Sequence, residues 1–259
     1  MLLTIDIGNT NVTLGVYDGD ALLFVARLAT NRSRTCDQYA IELADVFRLY
    51  GADHKKVTGA VLSCVVPELT AGMVQAVEQL CSCKLLVLGP GVKTGLNILT
   101  DSPVQVGADL VAGAVAAAAL YPLPCFVIDL GTATKISVLN AQGAFCGCAI
   151  APGVGISMQA LSAQASQLPS IPLDAPRHAI GKNTVDSMQS GLVFGTAAML
   201  DGLCDRIQTE LGEPVQTIVA TGGLSPDIIK SCRHKVIHNG ELILYGLKLI
   251  HQKNTANGK

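Results

Sequence analysis

Two short acidic motifs built around a glycine carry residue types that bind phosphate. They are Asp6-Ile7-Gly8-Asn9-Thr10 and Asp129-Leu130-Gly131-Thr132-Ala133-Thr134, and each stands between two β-type stretches. Glycine lets the backbone approach a phosphate closely, while successive N–H groups and Thr or Asn side chains donate hydrogen bonds to its oxygens. A carboxylate would repel phosphate, so each Asp is expected to hold a cation or orient water. Either copy alone could be an ordinary polar hairpin, but the repetition favours phosphate binding.

A third acidic residue stands where an apolar helix is predicted to begin. Asp109 follows Gly107-Ala108 and precedes the uncharged stretch Leu110–Leu120. The positive end of the helix dipole should keep this carboxylate ionised. An ionised carboxylate can orient or deprotonate the hydroxyl that attacks in phosphoryl transfer. Asp109 could equally be a simple helix N-cap, and the local sequence does not decide between the two.

The elements that must position these residues alternate between strand and helix, which predicts an α/β fold. Each glycine motif opens a half of the chain, so we predict two actin-like (ribonuclease H-like) lobes, residues 1–117 and 118–259. Each lobe should hold a mixed sheet that starts with a phosphate-binding hairpin and is flanked by helices. Apolar periodicity predicts further strands at 22–28, 57–66, 85–88 and 217–220. It predicts helices at 36–50, 69–81, 156–165 and 185–211, and a last helix that ends near His251. Residues 168–177 are expected to be irregular, and the tail Gln252–Lys259 is expected to be frayed.

The composition narrows the classes of function. Of the 259 residues, 49% are hydrophobic and 15% are charged, so the chain can bury a sizeable core. A net charge of −2 without a Lys/Arg block argues against a nucleic-acid surface. The nearest basic cluster, Asn31-Arg32-Ser33-Arg34, is expected to be a solvated loop. Val111–Ile128 is uncharged, but Pro122 and Pro124 favour a helix, a turn and a strand over a membrane span.

Cysteine usage indicates a reducing compartment. The chain has nine cysteines, an odd number, and it starts on a strand with no signal peptide, so we expect a cytoplasmic protein. The spacings Cys81-x-Cys83 and Cys146-x-Cys148 are poor for zinc, and no histidine stands nearby. We therefore expect buried, inert thiols.

The ordered set of motifs resembles the type III pantothenate kinases, of the sugar kinase, Hsp70 and actin superfamily. The resemblance covers nearly the whole chain. Besides the two glycine motifs it includes the blocks Val106-Gly107-Ala108-Asp109, Ala149-Ile150-Ala151-Pro152-Gly153, Gly181-Lys182-Asn183-Thr184 and Thr221-Gly222-Gly223. It implies ATP-dependent phosphorylation of pantothenate, the first step towards coenzyme A, by a homodimer.

The resemblance also implies a role for individual residues. Asp109 matches the general base, Asp129 a ligand of a monovalent cation (K⁺ or NH₄⁺), and Asp6 a possible Mg²⁺ ligand for the ATP complex. Thr184 matches a substrate contact that works beside the partner subunit. The implied ATP contacts are Asp6, Ile7, Gly8, Asn9, Thr10, Asn11, Val12, Thr13, Thr132, Gly222 and Gly223. The implied pantothenate contacts are Thr100, Gly107, Ala108, Asp109, Leu110 and Thr184.

The chain departs from the family pattern mainly on the acceptor side. Leu110 stands where the family usually has an arginine that faces pantothenate's carboxylate, and Thr100 where it often has a tyrosine. The second glycine motif usually continues Thr-Thr-x-Asp, whereas here Lys135 and Ser137 replace the second Thr and the Asp. Lys135 could supply a compensating charge or face solvent. Three interpretations follow: a divergent pantothenate kinase, a kinase of the same fold with another small hydroxyl acceptor, or a non-catalytic regulator. Retention of the acidic residues disfavours the last.

Two further expectations concern ions and assembly. Asp129 has no neighbouring Lys or Arg before Lys135, so we expect a monovalent ion to be its counter-charge. The stretches Ala112–Ala119 and Met188–Leu203 carry more apolar surface than one lobe seemed able to cover, so we expect them to contribute to a homodimer interface.

Overall fold

A computed structural model describes residues 1–255 and contains two five-stranded sheets. The strands are β1 (Leu2–Ile7), β2 (Asn11–Asp18), β3 (Ala21–Ala29), β4 (Gly59–Cys64), β5 (Leu85–Val87), β6 (Cys125–Leu130), β7 (Ala133–Leu139), β8 (Phe145–Pro152), β9 (Thr217–Thr221) and β10 (Ile237–His238). The helices are α1 (Cys36–Leu49), α2 (Pro67–Cys81), α3 (Ala108–Leu120), α4 (Val154–Gln164), α5 (Thr184–Gln189), α6 (Gly195–Leu211), α7 (Ser225–Ile228) and α8 (Leu242–Thr255). The predicted α/β class with two mixed sheets is confirmed.

The two sheets have the same topology. The first has the order β3-β2-β1-β4-β5 and the second, read from its other edge, β8-β7-β6-β9-β10. In both, an antiparallel three-stranded meander is extended by two parallel strands. The two sheets therefore share one strand arrangement, in which β1 is equivalent to β6, β2 to β7 and β4 to β9. The repeat that the two glycine motifs indicate therefore extends to all five strands of each sheet.

Burial explains why these segments form strands. Leu3, Ile5 and Ile7 of β1 have no exposed surface and lie in one core cluster, while Phe126 and Ile128 of β6 lie in another. Helices α1 and α2 cover the first cluster with Tyr39, Leu43 and Met73. Burial of such a side chain contributes about 1.5–3 kcal/mol. Cys81, Cys125 and Cys204 are buried, and burial raises the pKa of each thiol to about 12. Cys148 is exposed, so the expectation of buried thiols was wrong there.

The chain divides into two compact units that differ from the predicted lobes at residues 96–101 and at the C-terminal helix. Among residues 1–255, one unit comprises residues 1–95, 102–116 and 242–255, and the other 96–101 and 117–241. The predicted lobes placed the last helix with residues 118–241, but α8 packs on β1 and β4. The Lys248 ammonium of α8, almost fully buried, donates to Asp20 Oδ1 at 2.6 Å in the β2–β3 turn.

Several predicted boundaries need correction. The last helix ends at Thr255 rather than near His251, because the Asn254 side chain bonds to both backbone groups of Lys93 and holds the final turn. Residues 252–255 of the predicted frayed tail are thus helical, and 256–259 lie outside the described residues. The predicted helix 185–211 is α5 and α6 joined by a π-helical segment, Ser190–Phe194.

Other features agree with the prediction or add to it. Residues 168–177 have no helix or strand, as predicted, and the uncharged segment 111–128 is a helix, a proline turn and a strand. Short 3₁₀ turns occur at His54–Lys56, Pro103–Gln105 and Ile229–Ser231. Among the residues that the structure describes, no helix is both long and apolar enough to cross a bilayer.

Gly246 of α8 gives a stability prediction. A Cβ at this position would collide with the backbone of Ala112 in α3, including its carbonyl carbon at 2.6 Å. We expect Gly246→Ala to lower the free energy of unfolding by about 3 kcal/mol, the upper part of the usual overpacking range. Gly72→Ala in α2 is the matched control, because nothing lies within 4 Å of its added methyl, and it should stabilise by about 0.5–1 kcal/mol. Thermal and urea unfolding measure both; equal stability of the two variants would contradict the close α3–α8 contact.

Candidate active site

The first glycine turn, Gly8–Thr10, connects β1 to β2 and is held by hydrogen bonds on both sides. The Gly8 N–H donates to the Asn11 carbonyl at 2.9 Å. Thr30, just after β3, donates through its hydroxyl to the Gly8 carbonyl at 2.7 Å and through its N–H to the Thr10 carbonyl at 2.9 Å. Asn9 and Thr10 are exposed. The turn therefore presents polar groups to solvent on a fixed backbone, as an anion-binding turn requires.

Asp6 lies one residue before the end of β1, between two hydroxyl-bearing strands. Its register partners are Thr13 on β2 and Ser63 on β4. The Ser63 hydroxyl oxygen is fully buried and has no hydrogen-bond partner among residues 1–255. Carboxylate and hydroxyl oxygens are the ligands that Mg²⁺ prefers, so this donor set fits the magnesium ion of an ATP complex. Ile7 and Val12, by contrast, are core side chains with no exposed surface, so only their backbone could contact a ligand.

The second glycine turn, Gly131–Thr132, connects β6 to β7 and is enclosed by two other glycines. A Cβ on Gly153, the N-cap of α4, would lie 2.5 Å from the Gly131 carbonyl oxygen and would also collide with Thr132. Gly222 follows β9 with φ +95°, and a Cβ there would lie 2.5 Å from the Leu130 carbonyl oxygen. Ser225 fixes Gly222 by donating its hydroxyl to the Gly222 carbonyl at 2.7 Å. Only glycine fits at positions 153 and 222, which explains the glycines in the sequence blocks Ala149–Gly153 and Thr221–Gly223.

Asp129 is paired with a lysine, contrary to the expectation that an ion supplies its counter-charge. Asp129 and Lys135 are register partners in β6 and β7, and Lys135 Nζ lies 2.8 Å from Asp129 Oδ2. Each side chain is only 16% exposed. The premise that Asp129 lacks a cationic side chain nearby was wrong, because the two residues, six apart in the chain, face each other across a hairpin.

The residues around Asp129 do not fit a bound monovalent cation. Two like unit charges about 4 Å apart repel by about 4 kcal/mol at an effective dielectric constant of about 20. A potassium ion on the Asp129 carboxylate would meet this repulsion from the Lys135 ammonium. Thr221, the register partner on β9, offers one hydroxyl, and no cluster of three or more His, Cys, Asp or Glu suited to a metal occurs within residues 1–255.

Asp109 lies in the first turn of α3 and not at its cap. The helix begins at Ala108, and the Gly107 carbonyl accepts the Val111 N–H at 3.0 Å, so Gly107 occupies the N-cap position. Asp109 Oδ1 accepts the Leu110 N–H at 2.8 Å. A Cβ on Gly107 would lie 2.6 Å from the same oxygen, so glycine is needed for this carboxylate position. The Asp109 carboxylate is partly exposed.

Thr184 begins α5 and lines an open groove. Asn183 caps this helix by accepting the Asp186 N–H at 2.9 Å. The groove is bounded by Leu161 of α4, by Gly181 to Thr184 and by Met188 and Leu192. A Cβ on Gly181 would collide with the Ser187 backbone, which explains the glycine in this block. The polar rim and apolar floor suit a small polar acceptor or a partner surface.

The remaining predicted contacts divide between the two compact units. Gly107, Ala108, Asp109 and Leu110 belong to the same unit as the first glycine turn, and Thr100, Thr132, Gly222 and Thr184 to the other. Thr100 has a buried hydroxyl oxygen without a hydrogen-bond partner among residues 1–255. Gly223 is exposed beside Gly222.

Many apolar residues of the two stretches expected to form a dimer interface are buried within the chain itself. In Ala112–Ala119, four alanines (112, 114, 116 and 117) have no exposed surface, and in Met188–Leu203 the apolar Leu192, Val193 and Leu200 are buried. The premise that these stretches leave apolar surface uncovered was wrong, because the sequence of a helix does not show which other elements of the chain pack on it. Exposed apolar side chains occur elsewhere in the second unit, notably Ile150 (66%) and Ile180 (81%).

Sequence reasoning missed three contributors. Thr30 supports the first glycine turn from the next strand, and nothing in its local sequence marks it. Arg32, assigned to a solvated loop, donates to Asn9 Oδ1 at 3.3 Å and so brings a guanidinium to that turn. The enclosure of the second glycine turn by Gly153 was also missed, although the glycine itself belongs to one of the sequence blocks, Ala149–Gly153.

Comparisons with known proteins identify relatives of this chain. Residues 2–206 match the family model described as type III pantothenate kinase. A type III pantothenate kinase of Myxococcus xanthus is 44% identical over 259 residues, covering 99% of this chain and 100% of that protein. One from Halalkalibacterium halodurans is 41% identical over 254 residues, covering 98% and 100%.

Solved structures show the same fold at low identity. A protein described as a Baf family transcriptional activator from Campylobacter jejuni superposes with a TM-score of 0.64 at 20% identity, covering 98% of this chain and 99% of that chain. The activator of 2-hydroxyisocaproyl-CoA dehydratase from Clostridium difficile, with bound ADPNP, gives 0.59 at 12% identity, covering 98% and 93%. The ROK hexokinase of Thermus thermophilus gives 0.51 at 13% identity, covering 100% and 99%.

Proposed function

The chain belongs to the type III pantothenate kinase family, and on that premise we propose which of its residues carry out the ATP-dependent phosphorylation of pantothenate in coenzyme A biosynthesis. The observation that carries the proposal is the repeated turn. Two sheets of identical topology each place an Asp-x-Gly turn between equivalent strands, with Asp6 and Asp129 at equivalent positions. Phosphoryl transfer depends mainly on positioning and on neutralising charge, and such turns supply both.

We assign ATP to the two glycine turns and their neighbours. Backbone N–H groups of residues 9–11 and of Thr132 donate to the phosphate oxygens, together with the exposed side chains of Asn9, Thr10 and Thr132. Gly222 and Gly223 face the adenosine part, where the absence of side chains leaves room for a purine. Asp6, with Thr13 and Ser63 opposite it, would hold Mg²⁺, which neutralises phosphate charge when bound.

Asp109 acts as the general base in this proposal. Its carboxylate accepts the proton of the pantothenate hydroxyl as the hydroxyl oxygen forms a bond to the γ-phosphorus. The bond between that phosphorus and the bridging oxygen breaks, and ADP leaves with the electron pair. The hydrogen bond from the Leu110 N–H to Asp109 Oδ1 fixes the carboxylate without neutralising it, so the base is positioned before the substrate arrives.

The acceptor pocket departs from the family where a carboxylate would bind. Leu110 is apolar at the position of the usual arginine, and a lost arginine–carboxylate pair weakens binding by roughly 2–4 kcal/mol if nothing replaces it. This observation favours one alternative, a kinase whose acceptor lacks the carboxylate. Comparing kcat/KM for pantothenate with that for pantetheine, which has an amide there, tests acceptor identity. A higher value for pantothenate supports the proposal, and a hundredfold preference for pantetheine would overturn it.

We further propose a homodimer in which the groove beside Thr184 lies near the subunit boundary. Its support is the exposed apolar surface of the second unit, including Ile150 and Ile180, together with Leu161 in the groove wall. We expect a stable dimer by sedimentation velocity at submicromolar protein, and Ile180→Lys should shift it towards monomer. A fully active monomer of 26.9 kDa would contradict the assembly. Nine cysteines that form no disulfide within residues 1–255 suit a reducing compartment, so we place the enzyme in the cytoplasm.

A further inference from the structure

Lys135 holds a fixed positive charge against the carboxylate that precedes the second glycine turn. Its Nζ lies 2.8 Å from Asp129 Oδ2, and both side chains are 16% exposed. The two residues are directly opposite in the antiparallel β6–β7 pair, so the backbone register itself brings them together. A Cβ on Gly131 would lie 3.4 Å from Asp129 Oδ1, so the second oxygen of this carboxylate faces the turn. The ion pair is therefore part of the turn's structure.

The other sheet supplies an internal comparison. Asp6 and Asp129 are equivalent, and their parallel neighbours, Ser63 and Thr221, both carry hydroxyls. Across the hairpin, however, Asp6 faces Thr13 whereas Asp129 faces Lys135. The lysine is thus specific to the second turn and not a requirement of the fold. A neutral hydroxyl side chain satisfies the same backbone position in the first sheet.

The two differences between β7 and the family motif, at Lys135 and Ser137, both make the charge on this strand more positive. Lys135 and Ser137 stand where the resembled motif has Thr and Asp, and the two positions share one face of β7 because side chains alternate along a strand. One change adds a positive charge and the other removes a negative one. Ser137 is buried, so a carboxylate there would also have needed a cation. The face of β7 beside the turn therefore carries a positive charge from Lys135 and no negative charge at position 137.

We infer that the Lys135 ammonium takes the place of the monovalent cation at the second glycine turn, so that this chain works without added potassium or ammonium. The inference rests on the proposed function for its role in catalysis. A lysine ammonium is a compact cation with three N–H donors, chemically close to an ammonium ion but tethered to the strand. It neutralises Asp129 and leaves positive charge beside the phosphates that the turn binds.

The first test uses the wild-type enzyme in different salts. Initial rates with ATP, Mg²⁺ and pantothenate are measured in the chlorides of potassium, ammonium, sodium and tetramethylammonium at one ionic strength. ADP is quantified directly by chromatography, so that no coupling enzyme adds its own need for a cation. We expect rates within twofold of one another. A tenfold or greater stimulation by potassium or ammonium over tetramethylammonium would overturn the inference.

A second test removes the charge. Lys135→Met keeps an unbranched stem of similar reach, and circular dichroism checks its fold. We expect its rate in tetramethylammonium to fall at least tenfold and to recover in part with potassium or ammonium, which can then reach Asp129. Lys230→Met is the matched control, since Lys230 pairs with Asp227 at 3.4 Å on the exposed surface of the same unit, and its rate should be unchanged. A folded Lys135→Met that keeps the wild-type rate in every salt would overturn the inference.

A binding measurement separates this inference from the proposed function. The affinity of the wild-type chain for Mg²⁺-ADP is determined by calorimetry in potassium and in tetramethylammonium chloride. Equal affinity supports a built-in cation, even if the chain proves to phosphorylate another acceptor, and tenfold tighter binding in potassium overturns it. Absence of phosphopantothenate in every salt would refute the proposed function alone, and the binding result would still decide the role of Lys135.

Discussion

Asp109→Asn should lower kcat by about 10²–10⁴-fold, the usual effect of removing a general base. The substitution keeps an oxygen that can accept the Leu110 N–H, so the start of α3 and the KM for ATP should be unchanged. Rates are measured under saturating ATP and pantothenate, and nucleotide affinity by calorimetry. A loss of kcat with unchanged affinity separates catalysis from folding.

The chain offers a matched control for this substitution. Asp37 is the second residue of α1, as Asp109 is of α3, and it is also an acidic residue in a helix first turn of the same unit. Asp37→Asn should leave kcat within about twofold while losing a similar interaction with the helix dipole, worth about 0.3–1 kcal/mol. If Asp109→Asn also stayed within a few fold of wild type, Asp109 would have only a structural role.

Gly153→Ala should raise the KM for ATP by at least tenfold. The added methyl would collide with the backbone of Gly131 and Thr132, and neither can move without reshaping the second glycine turn. A tenfold change corresponds to about 1.4 kcal/mol of phosphate binding, which lies within the roughly 1–3 kcal/mol that overpacking can impose. Steady-state kinetics with varied ATP, supported by ADP calorimetry, measures the effect.

Gly155→Ala tests whether the effect comes from the turn. Gly155 lies two residues further on, in the first turn of α4, and nothing lies within 4 Å of an added Cβ. This variant should keep the KM for ATP and gain a few tenths of a kcal/mol in stability, because alanine favours a helix. Equal kinetics for the two alanine variants would refute the proposed contact between Gly153 and the ATP-binding turn.

The sequence predicted the hairpins well because their signals are local. A glycine with Thr or Asn between two β-type runs fixes both the turn and the two strands that it joins, as at Gly8 and Gly131. The pairing of Asp129 with Lys135 was not predicted, because a shift of one residue in register would turn Lys135 to the opposite face. Only the observed two-residue turn places them opposite each other.

Long-range packing accounts for the other errors. The periodicity of α8 shows that it has an apolar face but not which sheet covers that face, and the helix packs on β1 and β4 from the far end of the chain. The alanines of α3 were assigned to a dimer interface for the same reason, although Gly246 of α8 lies directly against Ala112. Site residues were easier to identify than their supports, since Asp109 belongs to a sequence block whereas Thr30 does not.

Transfer of the γ-phosphoryl group from ATP to the hydroxyl of pantothenate is the central claim. The most direct measurement incubates the purified chain with Mg²⁺, γ-phosphate-labelled ATP and pantothenate, and then separates the products by chromatography with mass detection. We predict label in 4′-phosphopantothenate in equal amount to the ADP formed, and none when Asp109→Asn replaces the wild type for the same time. Release of label only as inorganic phosphate, with no labelled pantothenate, would contradict the account.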